Sequence, residues 1–231
     1  MGRYDDVLLE IFMTKYDPRK NEISFTKQEI AKIAEKHGIR NVPDILYYYA
    51  FDRGTIPDAI MSKGFISLNI TGRGTYSLSK KPMIVTIPEI RKFEEIKIQL
   101  PQCVERFVSD DEQGILIRIL YGDVLSKFLG KRIMFLQGFL RTNSIFGQTE
   151  VDALYVSEDE EICTVEAKGP GESLNKNQII RQVEGTKCKF GVESVIPLAI
   201  KFFRDHRIIV IRFNKDYDIA NFAGYRLIDT I

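Results

Sequence analysis

The chain has 231 residues, 44% of them hydrophobic and 28% charged, and its formal net charge is +1. This composition is typical of an ordinary folded protein and argues against a disordered chain or a strongly polyanion-binding one. There are only two histidines and three cysteines, and no CxxC pair, so we do not expect a Cys/His zinc site. No signal peptide and no apolar run of about 18 residues is evident, which predicts a cytoplasmic location and no membrane association.

The pattern of residues 1–81 predicts three short helices followed by a β-hairpin. Apolar residues at helical spacing mark a first helix from Asp5 to Tyr16. Thr26 and Glu29 form a capping-box pattern at the start of a second helix. A third helix is predicted from Pro43 to Arg53, and the extended runs FISLNI and TYSLSK then flank the turn TGRG.

This order of elements resembles a winged helix-turn-helix domain, and the resemblance implies a DNA-binding module of residues 1–81. Lys and Arg exceed Asp and Glu in this segment by 13 to 10. The third helix would be the recognition helix, and the hairpin would be the wing. The expected DNA contacts are Tyr47, Tyr48, Arg53, Arg73 and Lys80, with Tyr49 and Lys81 as further candidates. Two alternatives remain open: some of these aromatic residues belong to the core, and such a domain can also bind protein.

Residues 82–104 are predicted to be a linker, and residues 105–231 a second domain of the α/β class with a mixed sheet. Pro82 and Pro88 mark the linker, and the segment from Arg91 to Leu100 within it is compatible with either a strand or a short helix. Beyond it the periodicity predicts one helix, then three strands, a further helix and two more strands. In chain order these are a helix ending near Gly130, strands at 132–140, 151–156 and 162–167, a helix at 175–190, and strands at 194–203 and 207–213.

The stretch TEVDALYVSEDEEICTVEAK predicts a β-hairpin that carries charged residues near its open end. Period-two alternation places Glu150 and Asp152 on one face of the first strand, and Glu166 and Lys168 on one face of the second. Converging charges are costly to bury unless they are paired or bind a metal. Asp152, Glu166 and the carbonyl of Ala167 are hard oxygen donors of the kind that Mg²⁺ prefers, so we expect them to bind Mg²⁺. The alternative is a hairpin whose charges merely face water, as we expect for the acidic turn at 158–161.

An Asp near a strand end followed on the next strand by Glu-x-Lys resembles the motif of the PD-(D/E)xK nucleases, which include type II restriction endonucleases. Asp152 and Glu166-Ala167-Lys168 match that motif, with Val151 at the position of its proline. The resemblance covers about residues 105–215 and implies a restriction-endonuclease-like core and Mg²⁺-dependent hydrolysis of DNA. It also implies catalytic roles for further residues, namely Glu150, Gln182 or Gln178, and an upstream acid at Glu112 or Asp123.

The sequence therefore predicts a type II restriction endonuclease that acts on double-stranded DNA as a homodimer. No phosphate-binding GxxxxGK[ST] loop of an ATPase is present, which favours a stand-alone enzyme. Two alternatives remain: a structure-specific or repair nuclease of the resolvase or Mrr-like kind, and a non-catalytic winged-helix DNA-binding protein. The pattern of cleavage distinguishes a structure-specific or repair nuclease from a restriction endonuclease. DNA binding without cleavage would indicate the non-catalytic protein.

Overall fold

The computed structural model describes residues 2–51 and 53–229, and the chain divides into two compact units. The smaller unit comprises Met1–Val85, Ile145–Gly147 and Asn175–Asn177, and the larger comprises Thr86–Ser144, Gln148–Leu174 and Gln178–Ile231. In the described residues, no helix is both long and apolar enough to cross a membrane.

The smaller unit contains four helices and a three-stranded antiparallel sheet. Its elements are α1 (Arg3–Lys15), β1 (Glu22–Thr26), α2 (Lys27–Lys36), α3 (Val42–Ala50), α4 (Asp58–Met61), β2 (Ser67–Gly72) and β3 (Thr75–Ser79). The sheet has the order β1-β3-β2, so the hairpin formed by β2 and β3 is extended by β1. The predicted hairpin is present, whereas β1 was not predicted.

The second helix begins where its capping signal predicts. The Thr26 hydroxyl accepts a hydrogen bond from the backbone N–H of Glu29, and the Glu29 carboxylate accepts one from the backbone N–H of Thr26 at 2.7 Å. The third predicted helix extends to Arg53, across residue 52, which lies outside the described residues. In the structure α3 ends earlier, at Ala50.

The larger unit is built on a seven-stranded mixed sheet, which confirms the predicted α/β class. Its strands are β4 (Glu94–Ile98), β5 (Ile133–Ser144), β6 (Gly147–Ser157), β7 (Ile162–Lys168), β8 (Val195–Phe202), β9 (Arg207–Phe213) and β10 (Ile219–Asp229). The sheet order is β4-β10-β9-β8-β7-β6-β5. Strands β7 and β8 are parallel, as are β4 and β10, whereas β6–β7, β8–β9 and β9–β10 are antiparallel.

Four helices accompany this sheet: α5 (Gln102–Glu105), α6 (Glu112–Tyr121), α7 (Val124–Leu129) and α8 (Lys176–Phe190). One face of the sheet packs on α6 and α7, where Ile115, Ile119 and Leu125 join a core with Val165 and Ile200. The connection through α8 joins the parallel strands β7 and β8, as parallel pairing requires.

Two parts of the larger unit differ from the predicted pattern. The single helix predicted up to Gly130 is interrupted between α6 and α7, because Asp123 adopts a left-handed backbone conformation with φ of 46°. The segment 82–104, predicted as a linker, contains β4, and β4 pairs with the C-terminal strand β10 to complete the sheet. The sequence of β4 is compatible with either a strand or a short helix, and the structure shows a strand, whose alternating Ile96 and Ile98 are buried. Strand β10 was not predicted.

Candidate active site

The candidate site lies where β6 separates from β7. The antiparallel ladder between these strands runs from Val156 and Ile162 to Ala153 and Val165, and the next pair of positions would be Asp152 and Glu166. At this point a side chain takes the place of the backbone partner on β6: Asp152 Oδ2 accepts a hydrogen bond from the backbone N–H of Ala167 at 2.8 Å. Period-two alternation thus brings the two carboxylates to the same face of the sheet, at the end of the paired region.

Glu166 is a buried carboxylate whose two oxygens have different partners. Its side chain is 2% exposed. Oε1 lies 2.6 Å from Lys168 Nζ, and Oε2 accepts a hydrogen bond from Gln182 Nε2. Gln182, itself buried on α8, also donates to the backbone carbonyl of Glu150 at 3.0 Å. Gln182 therefore ties the helix to both strands and fixes the orientation of the Glu166 carboxylate.

Burial sets the protonation of this cluster. Desolvation, followed by repulsion from Asp152, raises the pKa of Glu166 to about 7. Desolvation also raises the pKa of Asp152. For Lys168, burial lowers the pKa, but the neighbouring Glu166 and Asp152 outweigh that effect, so its pKa rises and the amine stays charged at neutral pH. The site therefore holds one fixed cation beside two carboxylates that repel each other.

A second group of charges borders Lys168. Glu172 Oε2 accepts a hydrogen bond from the backbone N–H of Gly169 at 2.7 Å, and the Glu112 and Glu172 carboxyls are hydrogen-bonded to each other. Burial and this contact raise the pKa of Glu112. Lys201 is buried and donates to the backbone carbonyls of Gly169 and Glu172, the latter at 2.6 Å. Lys201 thus anchors the loop that directly follows Lys168.

The sequence predicted some of this arrangement and missed the rest. Of the two candidate upstream acids, Glu112 lies near Lys168, whereas Asp123 accepts a hydrogen bond from Ser126 at the start of α7. Glu172 and Lys201 were not anticipated. Lys201 follows an apolar run and pairs with Lys168 only through the parallel register of β7 and β8, which residue spacing does not reveal.

The other residues predicted for this site are peripheral. Glu150 is exposed, and its Oε2 lies 3.4 Å from Arg141 Nε, so its side chain is directed to a different cation. Its backbone carbonyl, by contrast, accepts from Gln182. Of the two glutamines on α8, Gln182 contacts Glu166, and Gln178 lies one turn earlier and is partly exposed.

The oxygen donors at this site are compatible with a hard divalent cation, although they do not form a large acidic cluster. In residues 2–51 and 53–229 no group of three or more His, Cys, Asp or Glu side chains is arranged to hold a metal. The predicted set instead has two carboxylates, Asp152 and Glu166, and the Ala167 carbonyl. Mg²⁺ typically takes one or two carboxylates and completes its shell with water. The mutual repulsion of the two carboxylates is the feature that a divalent cation would relieve.

The predicted DNA-contacting residues differ in how exposed they are. On α3, Tyr47 and Tyr48 are 38% and 37% exposed, whereas Tyr49 is buried and donates to Asp5 Oδ1 at 2.6 Å. The interpretation of Tyr49 as a DNA contact is therefore wrong, because its hydroxyl is used inside the unit. Of the four basic candidates, Arg53, Arg73 and Lys81 are exposed. Lys80 is partly buried, and its Nζ lies 5.2 Å from the centre of the Phe65 ring.

No match to this chain was found among protein-family models, curated protein sequences or solved structures.

Proposed function

We propose that this chain is a Mg²⁺-dependent endodeoxyribonuclease of the type II restriction kind. One observation carries the proposal: Asp152, Glu166 and Lys168 meet at the point where two paired strands separate, and a buried glutamine orients the Glu166 carboxylate. If the hairpin were merely solvated, these charges would face water, whereas the Glu166 side chain is only 2% exposed. A buried, mutually repelling carboxylate pair beside a lysine is typical of a functional site.

The residues of the chain have separable roles in the proposed hydrolysis. Asp152 and Glu166 would hold Mg²⁺, which when bound neutralises charge on the phosphate and promotes attack by water. Lys168 stabilises the negative charge that develops on the phosphate oxygens as the phosphodiester is attacked. Gln182 keeps the Glu166 carboxylate in place, and Lys201 keeps the loop after Lys168 in place.

The mixed sheet supports a restriction-endonuclease-like core as the finer description of the larger unit. The site lies where the pairing of the neighbouring strands β6 and β7 ends, and the following helix α8 supplies the glutamine. This is the order of elements that the resemblance to PD-(D/E)xK nucleases implies.

The smaller unit supports DNA as the substrate. Its order of helices and strands, together with the sheet order β1-β3-β2, is what we expect of a winged helix-turn-helix domain. α3 would then enter the major groove, with Tyr47 and Tyr48 on the helix and Arg53 beyond its C-terminal end as contacts. Arg73, exposed in the turn between β2 and β3, would contact phosphates.

The proposal is tested by incubating long unmethylated duplex DNA with the full chain, with and without Mg²⁺. We expect discrete fragments that require the metal. Asp152→Asn is the matched variant, because it keeps the size of the side chain and removes the charge needed to hold Mg²⁺. It should lose cleavage while retaining DNA binding in a gel-shift assay, and Glu166→Ala and Lys168→Ala should do the same.

Each other outcome has a distinct meaning. A smear that requires Mg²⁺ would retain the nuclease but remove sequence specificity. Cleavage of branched substrates alone would favour a structure-specific or repair enzyme. Binding without cleavage of any substrate would favour a non-catalytic DNA-binding protein, and cleavage that survives in Asp152→Asn would refute the proposed site.

A further inference from the structure

Strand β5 is an edge of the seven-stranded sheet that exposes an unusual amount of apolar surface. It is 12 residues long, and its segment 133–140 contains no charged residue. Four large apolar side chains of this segment are 40% to 54% exposed: Met134, Phe135, Leu136 and Phe139. A long, uncharged, apolar edge strand is a template for pairing with another chain.

The opposite edge of the same sheet is protected in the usual way. Strand β4 has five residues, and three of them, Glu94, Glu95 and Lys97, are exposed and charged. Short length and charge both discourage pairing. The two edges of one sheet therefore differ, and only β5 has the character of a strand that is covered by a partner.

Both faces of β5 are uncovered near its middle. Phe135 packs edge-on against Tyr155, with ring centres 5.4 Å apart, and Tyr155 belongs to the core on the α6 and α7 side. Leu140 instead packs with Val151 and Leu154 in a separate cluster. Since side chains alternate along a strand, Met134 and Leu136 project to the face opposite Phe135. Edge pairing with a further sheet would cover the free backbone edge of β5 and place a neighbouring strand beside the exposed side chains of both faces.

We propose that β5 pairs antiparallel with β5 of a second copy of this chain, across a two-fold axis perpendicular to the sheet. The two seven-stranded sheets would then form one continuous sheet. A two-fold interface uses the same surface on both copies, and an uncharged apolar strand is complementary to itself. Pairing of the two edges also closes the assembly, because each copy has one such edge.

The charges at the two ends of β5 support a second copy as the occupant. At its start, the four acidic residues of the turn Glu158–Glu161 outnumber Lys131 and Arg132, and Lys131 already pairs with Asp159 and Glu161. Near its other end lies Arg141, whose side chain is 71% exposed although its Nε lies 3.4 Å from Glu150 Oε2. Antiparallel pairing brings Arg141 of one copy towards the acidic turn of the other.

The pairing would also bring two candidate sites together, and this consequence rests on the proposed function. Gly138 of β5 lies beside the backbone carbonyl of Asp152 on β6, which a Cβ at Gly138 would approach to 3.7 Å. Two copies of β6 would be three strand spacings apart, or roughly 14 Å across the sheet. A two-fold axis perpendicular to the sheet keeps both Asp152 side chains on the same face, where one duplex could reach both.

The proposal is tested by sedimentation of the full chain without DNA or metal, so that the result does not depend on nuclease activity. We expect the wild-type chain to sediment as a dimer, and Leu136→Lys to raise the dimer dissociation constant by more than about tenfold. Met13→Lys is the matched control, since Met13 is 60% exposed on α1 of the smaller unit and should leave the dimer intact. Unchanged circular dichroism would show that both variants fold.

Hydrogen exchange on the wild-type chain gives an independent measurement that needs no variant. The amides of residues 133–140 should exchange more slowly above the dissociation concentration than below it, because pairing protects the edge of β5. A monomeric wild-type chain, a Leu136→Lys dimer of undiminished affinity, or exchange of β5 that does not depend on concentration would each overturn the proposal. The digestion experiment could still succeed in all three cases.

Discussion

Glu166 shows how burial and a neighbouring carboxylate raise the pKa of a side chain. Its environment supplies one lysine and one glutamine, yet desolvation and the neighbouring Asp152 still hold its pKa at about 7, above its ordinary value of 4.5. The single positive charge of Lys168 therefore does not balance the buried Glu166 and the partly buried Asp152. A divalent cation would supply the missing charge, and without one the cluster is destabilising at neutral pH.

This imbalance predicts a pH-dependent loss of stability in the absence of divalent metal. Between about pH 4.5 and 7 folded Glu166 keeps a proton that the unfolded chain releases. The folded state then binds more protons than the unfolded state, so the free energy of unfolding falls as pH rises through this window and is level above it. The full contribution is on the order of a few kcal/mol. Urea unfolding in EDTA from pH 5 to 8 measures it.

Glu166→Gln isolates the effect, because the amide cannot ionise and has nearly the same shape. The stability of this variant relative to wild type should increase from pH 5 to 7 and then stay constant, while its cleavage is lost. Ionisable groups that do not interact with Glu166 are common to both proteins, so their contributions cancel in the difference. A difference that does not vary with pH would mean that Glu166 has an ordinary pKa in the folded chain.

The residues of the site could be predicted where they depend on local periodicity. Asp152, Glu166 and Lys168 lie on two adjacent strands joined by a short turn, so alternation alone brings them together. Gln182 was one of two possibilities that only the position of α8 separates. Lys201 could not be predicted, because its contacts with the loop after Lys168 arise from the parallel pairing of β7 and β8. Glu172 lies in that loop, and its contact with Glu112 depends on how the loop packs against the start of α6.

Helices and strands with strong local sequence signals could be predicted, whereas those with weak signals could not. The capping box at Thr26 and the alternating hairpin strands gave the start of α2 and the pairing of β6 with β7. Strands β4 and β10 pair with each other although more than a hundred residues separate them in the chain. Neither segment contains a sequence pattern that identifies the other as its partner strand. The interruption at Asp123 was also hidden, since the apolar pattern continues through it.

We predict that the hairpin of β2 and β3 contributes to DNA binding. Arg73 is exposed in the turn between these strands. If it contacts a phosphate, Arg73→Ala should weaken binding and reduce the slope of log affinity against log salt by about 0.9, because one fewer counterion is released. Fluorescence anisotropy with a labelled duplex at several salt concentrations measures both quantities.

Arg226→Ala is the matched control for this prediction. Arg226 is likewise exposed, but it lies on β10 of the larger unit, so its removal changes the net charge equally without altering the hairpin. We expect its salt slope to match that of wild type. Equal slopes for Arg73→Ala and wild type would show that the hairpin does not contact the DNA backbone.

For the molecule as a whole, pairing through β5 predicts how many strands of DNA one assembly cuts. Each copy contributes one candidate site, so a dimer with two intact sites should linearise a supercoiled plasmid that carries one target. Mixing wild type with a large excess of Asp152→Asn places most wild-type chains in mixed dimers that have one intact site. The expected product is then nicked circular DNA, which gel electrophoresis separates from the linear form.

The double variant Asp152→Asn with Leu136→Lys distinguishes subunit exchange from competition for DNA. It lacks the same carboxylate, but lysine in β5 should keep it from pairing with wild-type chains. In excess it should leave linear DNA as the main product, slowed only as far as it occupies targets. If both variants produce nicked DNA equally, or neither does, then β5 does not join the two copies that cut opposite strands, even if the chain proves to be a nuclease.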